Sequence, residues 1–145
     1  MTTGEAVRIS SPNYPLYYPG NQHCNWYFTS DESSGSFAVH FLTFFTQKNV
    51  DNVTIGRGEE VSEAGTIHNF SAVVPMDVVS VIEDSSIWIS FRPDAGLSGI
   101  GFEVEITRIP DRGEYTHRQN NRWILMLGSV YELSYLKNNV LLVMV

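Results

Sequence analysis

The chain has 145 residues, of which 43% are hydrophobic and 12% aromatic, and its 16 acidic side chains outnumber its 9 basic ones to give a net charge of −7. This composition is typical of one globular domain and excludes disordered, collagen-like and coiled-coil proteins. The acidic excess also argues against binding to a phosphate backbone, which requires a stripe of Lys and Arg. We therefore expect no nucleic-acid partner.

Alternating apolar and polar residues predict a series of short antiparallel strands. In chain order they cover about 25–30, 36–45, 52–55, 78–83, 87–91 and 102–106. In the second strand the alternation places Phe37, Val39, Phe41 and Phe45 on one face, and in the fifth it places Trp88 on the outer face. Six or more strands separated by Gly, Pro and Asn turns, with no helical pattern, predict a β-sandwich or barrel.

The charge pattern changes near Pro110. Residues 1–110 contain 5 basic and 13 acidic side chains, whereas 111–145 contain 4 and 3. We therefore predict a domain over 1–109 and a tail over 110–145 that is poorly ordered or weakly docked. The apolar runs at 123–127 and 140–145 are separated by Glu132 and Lys137, which is unfavourable for a transmembrane helix. We expect no membrane span.

Several motifs in the first domain resemble those of a CUB domain. The segment Ile9-Ser-Ser-Pro-Asn-Tyr-Pro15, the dipeptide Tyr18-Pro19 and the triplet Cys24-Asn-Trp26 are similar to the opening of that family. Asp51-Asn-Val-Thr-Ile55, Phe91-Arg-Pro-Asp94 and Gly101-Phe102 resemble its later motifs, in the right order over about residues 4–109. The resemblance implies an all-β fold, an antiparallel jelly-roll β-sandwich of the CUB or spermadhesin type. From alternation and resemblance together, the expected core includes Trp26, Phe28, Phe41, Ile55, Ile89, Phe91, Phe102 and Val104.

The same resemblance implies a function in binding rather than catalysis. It describes an extracellular protein-interaction module, secreted or part of an ectodomain, with a protein partner and no small-molecule substrate; we therefore expect no enzyme activity. The N-terminus has no basic region followed by an apolar one, so no signal peptide is visible in this chain. The alternative is a carbohydrate-binding jelly roll in which exposed aromatics, Tyr17 and Tyr18 among them, stack on sugars.

Cys24 is the only cysteine and has no intramolecular partner. Its apolar and aromatic surroundings, without a nearby Lys or Arg, predict a buried, unreactive thiol. In the family resemblance its partner would lie upstream of Met1. The resemblance also places Asn49 and Phe70, or a neighbour of Phe70, where a second disulfide usually stands, so this edge must depend on packing.

The resemblance further implies a Ca²⁺ site between loops. In one branch of the family a Glu and two Asp residues hold the ion, and Asp51 and Asp94 stand at the two Asp positions. Gln47 occupies the expected position of the Glu, and an amide oxygen coordinates without supplying charge. We expect either no Ca²⁺ binding or weak binding at about 10⁻⁴ to 10⁻³ M. The alternative is that both Asp residues only stabilise turns.

Two sequons suggest glycosylation. Asn69-Phe-Ser71 and Asn52-Val-Thr54 both match the acceptor pattern. Because Asn52 falls in a predicted strand, Asn69 is the better candidate. The four His residues show no metal-binding spacing, so we expect no zinc site.

Overall fold

A computed structural model describes residues 1–32, 34–75 and 79–110, together with the backbone of two further strands, Tyr115–Gln119 and Arg122–Met126. Within these residues the chain forms strands, turns and bends and no helix. The strands are β1 (Ala6–Ser10), β2 (Cys24–Thr29), β3 (Ser36–Phe45), β4 (Asn52–Arg57), β5 (Thr66–Phe70), β6 (Val79–Glu83), β7 (Ser86–Arg92), β8 (Gly101–Ile109), β9 (Tyr115–Gln119) and β10 (Arg122–Met126).

Strands β1 to β8 form two four-stranded antiparallel sheets. The first sheet has the order β1-β8-β3-β6 and the second has the order β2-β7-β4-β5. Apart from β4 and β5, neighbouring strands are not consecutive in sequence, so the chain crosses repeatedly between the sheets. The predicted antiparallel jelly-roll β-sandwich is confirmed.

The core lies between the two sheets. It contains seven of the eight predicted core side chains, all buried: Phe28, Phe41, Ile55, Ile89, Phe91, Phe102 and Val104. The eighth, Trp26, is half-buried and meets Phe102 edge to face, with ring centroids 5.9 Å apart. This position follows from β2 being an edge strand, since one side of Trp26 has no neighbouring strand.

The prediction that Phe45 shares the inner face of β3 is wrong. The register of β3 against β8 shifts between Phe41 and Thr43, so that the extra residue at Leu42 changes which side chains face inward. Phe44, with 3% of its surface exposed, therefore enters the core, whereas Phe45 is 48% exposed.

The outward position predicted for Trp88 does not leave it exposed. Trp88 lies opposite Gly56 in β4, and its side chain is fully buried. A Cβ atom at Gly56 would lie 2.1 Å from Cζ2 of Trp88, so the ring occupies the space that a side chain would need. The indole Nε1 donates a hydrogen bond to the carbonyl of Arg57 at 3.1 Å. Trp88 is therefore buried although it is not part of the core between the sheets.

Strands β1 and β5 were not among the predicted segments. Each has five residues, lies at the edge of its sheet, and has no fully buried side chain. Edge strands of this kind carry a weak hydrophobic pattern, which explains why the sequence did not indicate them.

Strands β9 and β10 pair with each other as an antiparallel hairpin, with Trp123 opposite Arg118. The sequence did not predict strands there. Most of the predicted tail, 111–114, 120–121 and 127–145, lies outside the described residues, so the boundary near Ile109 and the state of the tail stay predictions. In the described part of the chain, no helix is long and apolar enough to cross a membrane.

Candidate functional site at the loop end

Four loops meet at one end of the sandwich, because β1, β3, β5 and β7 run in the same direction. We call this region the loop end; it comprises residues 11–23, 46–51, 71–75 and 93–100. The backbone N–H of Asn21 donates to the carbonyl of Asp94 at 2.8 Å, and that of Thr46 donates to the carbonyl of Ala72 at 2.8 Å. These bonds join the first loop to the fourth and the second to the third.

Asp51 is the buried centre of the loop end. One carboxylate oxygen, Oδ2, accepts a hydrogen bond from the Tyr18 hydroxyl at 2.5 Å, and the other, Oδ1, accepts the backbone N–H of Asp94 at 2.9 Å. The hydroxyl of Thr46 donates to the backbone carbonyl of Asp51 at 2.9 Å. A buried carboxylate is tolerated only when donors compensate for its lost hydration. Asp51 therefore holds three of the loop segments together.

Tyr18 is the partner that sequence reasoning missed. Its side chain is 1% exposed, and its hydroxyl also accepts the backbone N–H of Gln47 at 3.1 Å. Burial raises the pKa of Tyr18, and the hydrogen bond to Asp51 raises it further. The phenol therefore keeps its proton and remains a donor. The Tyr18-Pro19 motif was visible in the sequence, but nothing in it indicated a contact with a residue 33 positions away.

Tyr18 is thus not available for stacking on a ligand, which corrects its assignment to the exposed aromatics. Tyr17, the next residue back along the chain, is 68% exposed. The difference arises because the backbone of Tyr18 is tied to the fourth loop, with its N–H donating to the carbonyl of Gly99 at 3.2 Å.

Asp94 lies beside Asp51 but is exposed. Its Oδ1 accepts the backbone N–H of Gly96 at 2.6 Å, which closes a turn. A Cβ at Gly20 would lie only 2.6 Å from the carbonyl oxygen of Asp94, so glycine is needed for this close approach of the first and fourth loops. The structure brings the two predicted Asp residues together through the backbone of Asp94.

Gln47 also lies at this site. Its backbone carbonyl accepts the N–H of Asp51 at 3.1 Å, which places the two residues at opposite ends of one tight loop. Its side-chain Oε1 is buried, and no hydrogen-bond donor among the described residues satisfies it. An unsatisfied buried oxygen of this kind is unfavourable unless water or a cation completes it.

Among the described residues, no three or more His, Cys, Asp or Glu side chains lie together so that they could hold a metal ion. The three residues expected to hold Ca²⁺, which are Asp51, Asp94 and Gln47, all belong to the loop end and supply two carboxylates and one amide. Their charge is lower than that of a three-carboxylate site, as the sequence indicated.

The edge that the resemblance associates with a second disulfide is held by a hydrogen bond and by ring packing. The backbone N–H of Asn49 donates to the hydroxyl of Ser71 at 3.0 Å. The ring of Phe70 packs against that of Phe41, with the two ring centroids 5.0 Å apart. Cys24, which is half-buried against the core, is a free thiol, and burial raises its pKa.

The two candidate glycosylation residues differ in exposure. Asn69 is exposed on the edge strand β5. Asn52 is half-buried at the start of β4, and its side-chain amide donates to the carbonyl of Val50 at 2.9 Å. An oligosaccharide would meet fewer obstacles at Asn69.

Comparisons with known proteins agree with this fold. The family model for the CUB domain matches residues 2–106. Cubilin from the pig, Sus scrofa, is 30% identical over 114 residues, which cover 74% of this chain and 3% of the pig protein. This chain therefore corresponds to a small part of that relative's length.

Solved structures give the same result. The full extracellular region of zebrafish Gpr126/Adgrg6 superposes with a TM-score of 0.63 at 18% identity, covering 80% of this chain and 16% of that one. The CUB2 domain of MASP-1 bound to Ca²⁺ superposes with a TM-score of 0.58 at 22% identity, covering 72% and 94%. This chain belongs to the CUB domain family.

Proposed function

We propose that this chain is a non-catalytic extracellular module that binds a protein partner through the loop end. The main support is the distribution of exposed hydrophobic side chains. Of the eight large ones in the described residues, seven lie at the loop end or at the strand end beside it, and the exception is Tyr27. The seven are Leu16, Tyr17, Phe45, Val50, Val73, Leu97 and Ile100.

The charge distribution supports the same surface. In the described loops of this end the charged side chains are Lys48, Asp51 and Asp94, and Asp51 is buried. Surfaces that bury in protein complexes have apolar, aromatic-rich and charge-poor centres. Concentrated exposed apolar groups mark interaction sites, whereas isolated ones are ordinary. The loop end therefore suits a protein partner with an apolar contact surface.

The extracellular assignment is supported by family membership and by the description of one structural neighbour. One structural neighbour is the extracellular region of its parent protein. The exposed Asn69 agrees with this location, and we propose it as the main glycosylation site, with Asn52 second. Expression in a secreting eukaryotic cell should give a mass increase that Asn69→Gln removes and Asn52→Gln leaves largely unchanged.

We further propose that the loop end binds Ca²⁺ weakly. Asp51, Asp94 and Oε1 of Gln47 fit a hard cation because all three are oxygen donors and Oε1 has no described hydrogen-bond donor. When bound, the ion would neutralise the two carboxylates. The residues themselves already join the loops, since Asp51 binds both Tyr18 and the backbone of Asp94.

Isothermal titration with CaCl₂ tests this assignment. We expect binding at about 10⁻⁴ to 10⁻³ M, which Asp94→Ala abolishes. Gln47→Glu adds the missing charge and should tighten binding. No heat at 5 mM Ca²⁺ for either the natural chain or Gln47→Glu would leave both Asp residues with a structural role only.

The binding surface is tested on an array of displayed extracellular domains. A protein ligand should be lost with Leu97→Asp and kept with Tyr27→Asp, because only Leu97 lies at the loop end. A ligand lost with Tyr27→Asp and kept with Leu97→Asp would contradict the proposed surface.

The carbohydrate alternative now depends on Tyr17, since Tyr18 is buried. A glycan array probed with the natural chain and with Tyr17→Ala distinguishes the two functions. Sugar binding that requires Tyr17 would favour the lectin-like function over protein binding.

A further inference from the structure

The outer face of the first sheet contains a second apolar cluster, separate from the core. Alternation places Ala38 of β3 on the side opposite Phe37 and Val39, which lie in the core. Ala38, Val79 and Ile109 are buried together there, with Val81 packed against them. We call these four residues the outer patch.

The outer patch occupies only part of this face. Ala6 and Ala38 both lie opposite Thr107 in β8, one in β1 and the other in β3. Ala38 is 3% exposed, whereas Ala6 is exposed. The ion pair between Arg8 of β1 and Glu105 of β8 shows the same difference. The Arg8 side chain is 61% exposed, whereas the Glu105 side chain is 12% exposed. The face is therefore covered over β8, β3 and β6 but open over β1.

The strands of the second sheet cannot provide this cover, because they pack on the opposite face of the first sheet. The three residues 76–78 are too few to span three strands that lie about 4.8 Å apart. The cover must come from a longer segment.

We infer that the β9–β10 hairpin, whose strands are the next ones after β8, docks on the outer patch. The segment starts at the patch itself, since Ile109 is a member of it and ends β8. Six peptide links separate Ile109 from Tyr115 and span at most about 20 Å, enough to reach any part of the patch.

The properties of the hairpin require such a surface. In the described chain it is a sheet of its own, with two strands of five residues each. An isolated two-stranded hairpin is marginally stable in water and needs a packing partner. By sequence, β10 is Arg-Trp-Ile-Leu-Met, so its burial would remove apolar surface from water.

The charges of the two surfaces also favour docking of the hairpin on the outer face of the first sheet. Residues 1–110 carry a net −8 and residues 111–145 a net +1. The outer face presents Glu103 and Glu105, and the hairpin strands contain Arg118 and Arg122. Opposite charges orient the approach of the two surfaces. The docked segment would withdraw this face from other partners and leave the loop end for binding.

Thiol labelling of the full chain tests the docking. In a Cys24→Ser background, Ala38→Cys and Ala6→Cys place matched thiols on either side of Thr107. We expect Ala38→Cys to react at least about tenfold more slowly with a maleimide, because its reaction requires the cover to open.

A variant of the β9–β10 hairpin tests whether the hairpin is the segment that covers Ala38. Trp123→Asp together with Ile124→Asp changes one residue on each face of β10. It should raise the labelling rate of Ala38→Cys towards that of Ala6→Cys. An unchanged rate of Ala6→Cys and a melting transition that stays cooperative, at a lower temperature because the docked hairpin stabilises the sandwich, show that the sandwich remains folded.

Three results would overturn the inference. Equal labelling of the two thiols in the full chain would show that nothing covers Ala38. Slow labelling of Ala38→Cys that the hairpin variant does not change would assign the cover to another segment. Labelling that accelerates on dilution would assign it to a second copy of the chain.

Discussion

At the scale of single residues, the loop end depends on the buried carboxylate of Asp51. It binds the phenol of Tyr18 and the backbone of Asp94, so three loop segments share one acceptor group. Removing a partner of a buried polar group leaves an unsatisfied group, which costs about 1–3 kcal/mol. The residues that shape the candidate site are therefore also residues on which the folded state depends.

The contact between Trp88 and Gly56 gives a first prediction. Gly56→Ala places a methyl group where the indole ring lies, so it should lower the free energy of unfolding by about 1–3 kcal/mol. Trp88→Phe supplies space, and the double variant should lose less stability than the sum of the two single changes. Urea denaturation measures all four proteins. Additive losses would show that the ring and the methyl group do not compete.

His68 gives a prediction about pH. Burial lowers its pKa, and its ring lies 5.5 Å from that of Phe70. As pH falls below the ordinary value of about 6.5, the unfolded chain takes up the proton first, so stability is lost between that value and the lower folded pKa. Denaturation at pH 7.5 and 5.5 should show a smaller loss for His68→Gln than for the natural chain.

The exposed His23 provides the control, because it lies in the first loop. His23→Gln should retain the pH dependence of the natural chain. The same pH dependence in all three proteins would contradict a role for His68.

At the scale of strands, the bulge in β3 decides which aromatic side chains enter the core. Before the bulge, alternation identifies Phe37, Val39 and Phe41 correctly. After the bulge, the extra residue places Phe44 in the core and leaves Phe45 exposed. A phase change of one residue moves every following side chain to the other face.

Truncation of the two neighbouring phenylalanines tests this register. Phe44→Ala should cost about 3–5 kcal/mol because it leaves a cavity beside Phe41 and Phe102. Phe45→Ala should cost much less, since Phe45 is half-exposed. Guanidinium denaturation distinguishes them. A larger loss for Phe45→Ala would show that the bulge is absent.

Much of this strand arrangement could be predicted from the sequence. Alternation and motif spacing predicted the antiparallel sandwich, six of its eight strands and most of its core. They could not predict the bulge, because nothing local in 41–43 distinguishes it from regular strand. The burial of Trp88 could not be predicted because it depends on Gly56, which lies 32 residues away in the neighbouring strand β4. For the site, Asp51, Asp94 and Gln47 were named from the sequence, whereas Tyr18 required the fold.

At the scale of the whole molecule, the CUB sandwich has two ends and two outer faces with different properties. The loop end collects exposed apolar side chains around a buried carboxylate, and the outer face of the first sheet contains a separate buried patch. These features do not share residues. Binding at the loop end and docking at the outer patch can therefore be tested independently.

The central claim is that the loop end around Asp51 forms the functional site and accepts a cation there. A crystal structure determined in 5 mM CaCl₂ tests it most directly, because it locates the ion as well as detecting it. We expect an ion in contact with Asp51, Asp94 and Oε1 of Gln47. Asp94 bound to Gly96 as before, with Oε1 of Gln47 satisfied by water and no ion beside Asp51, would contradict the claim.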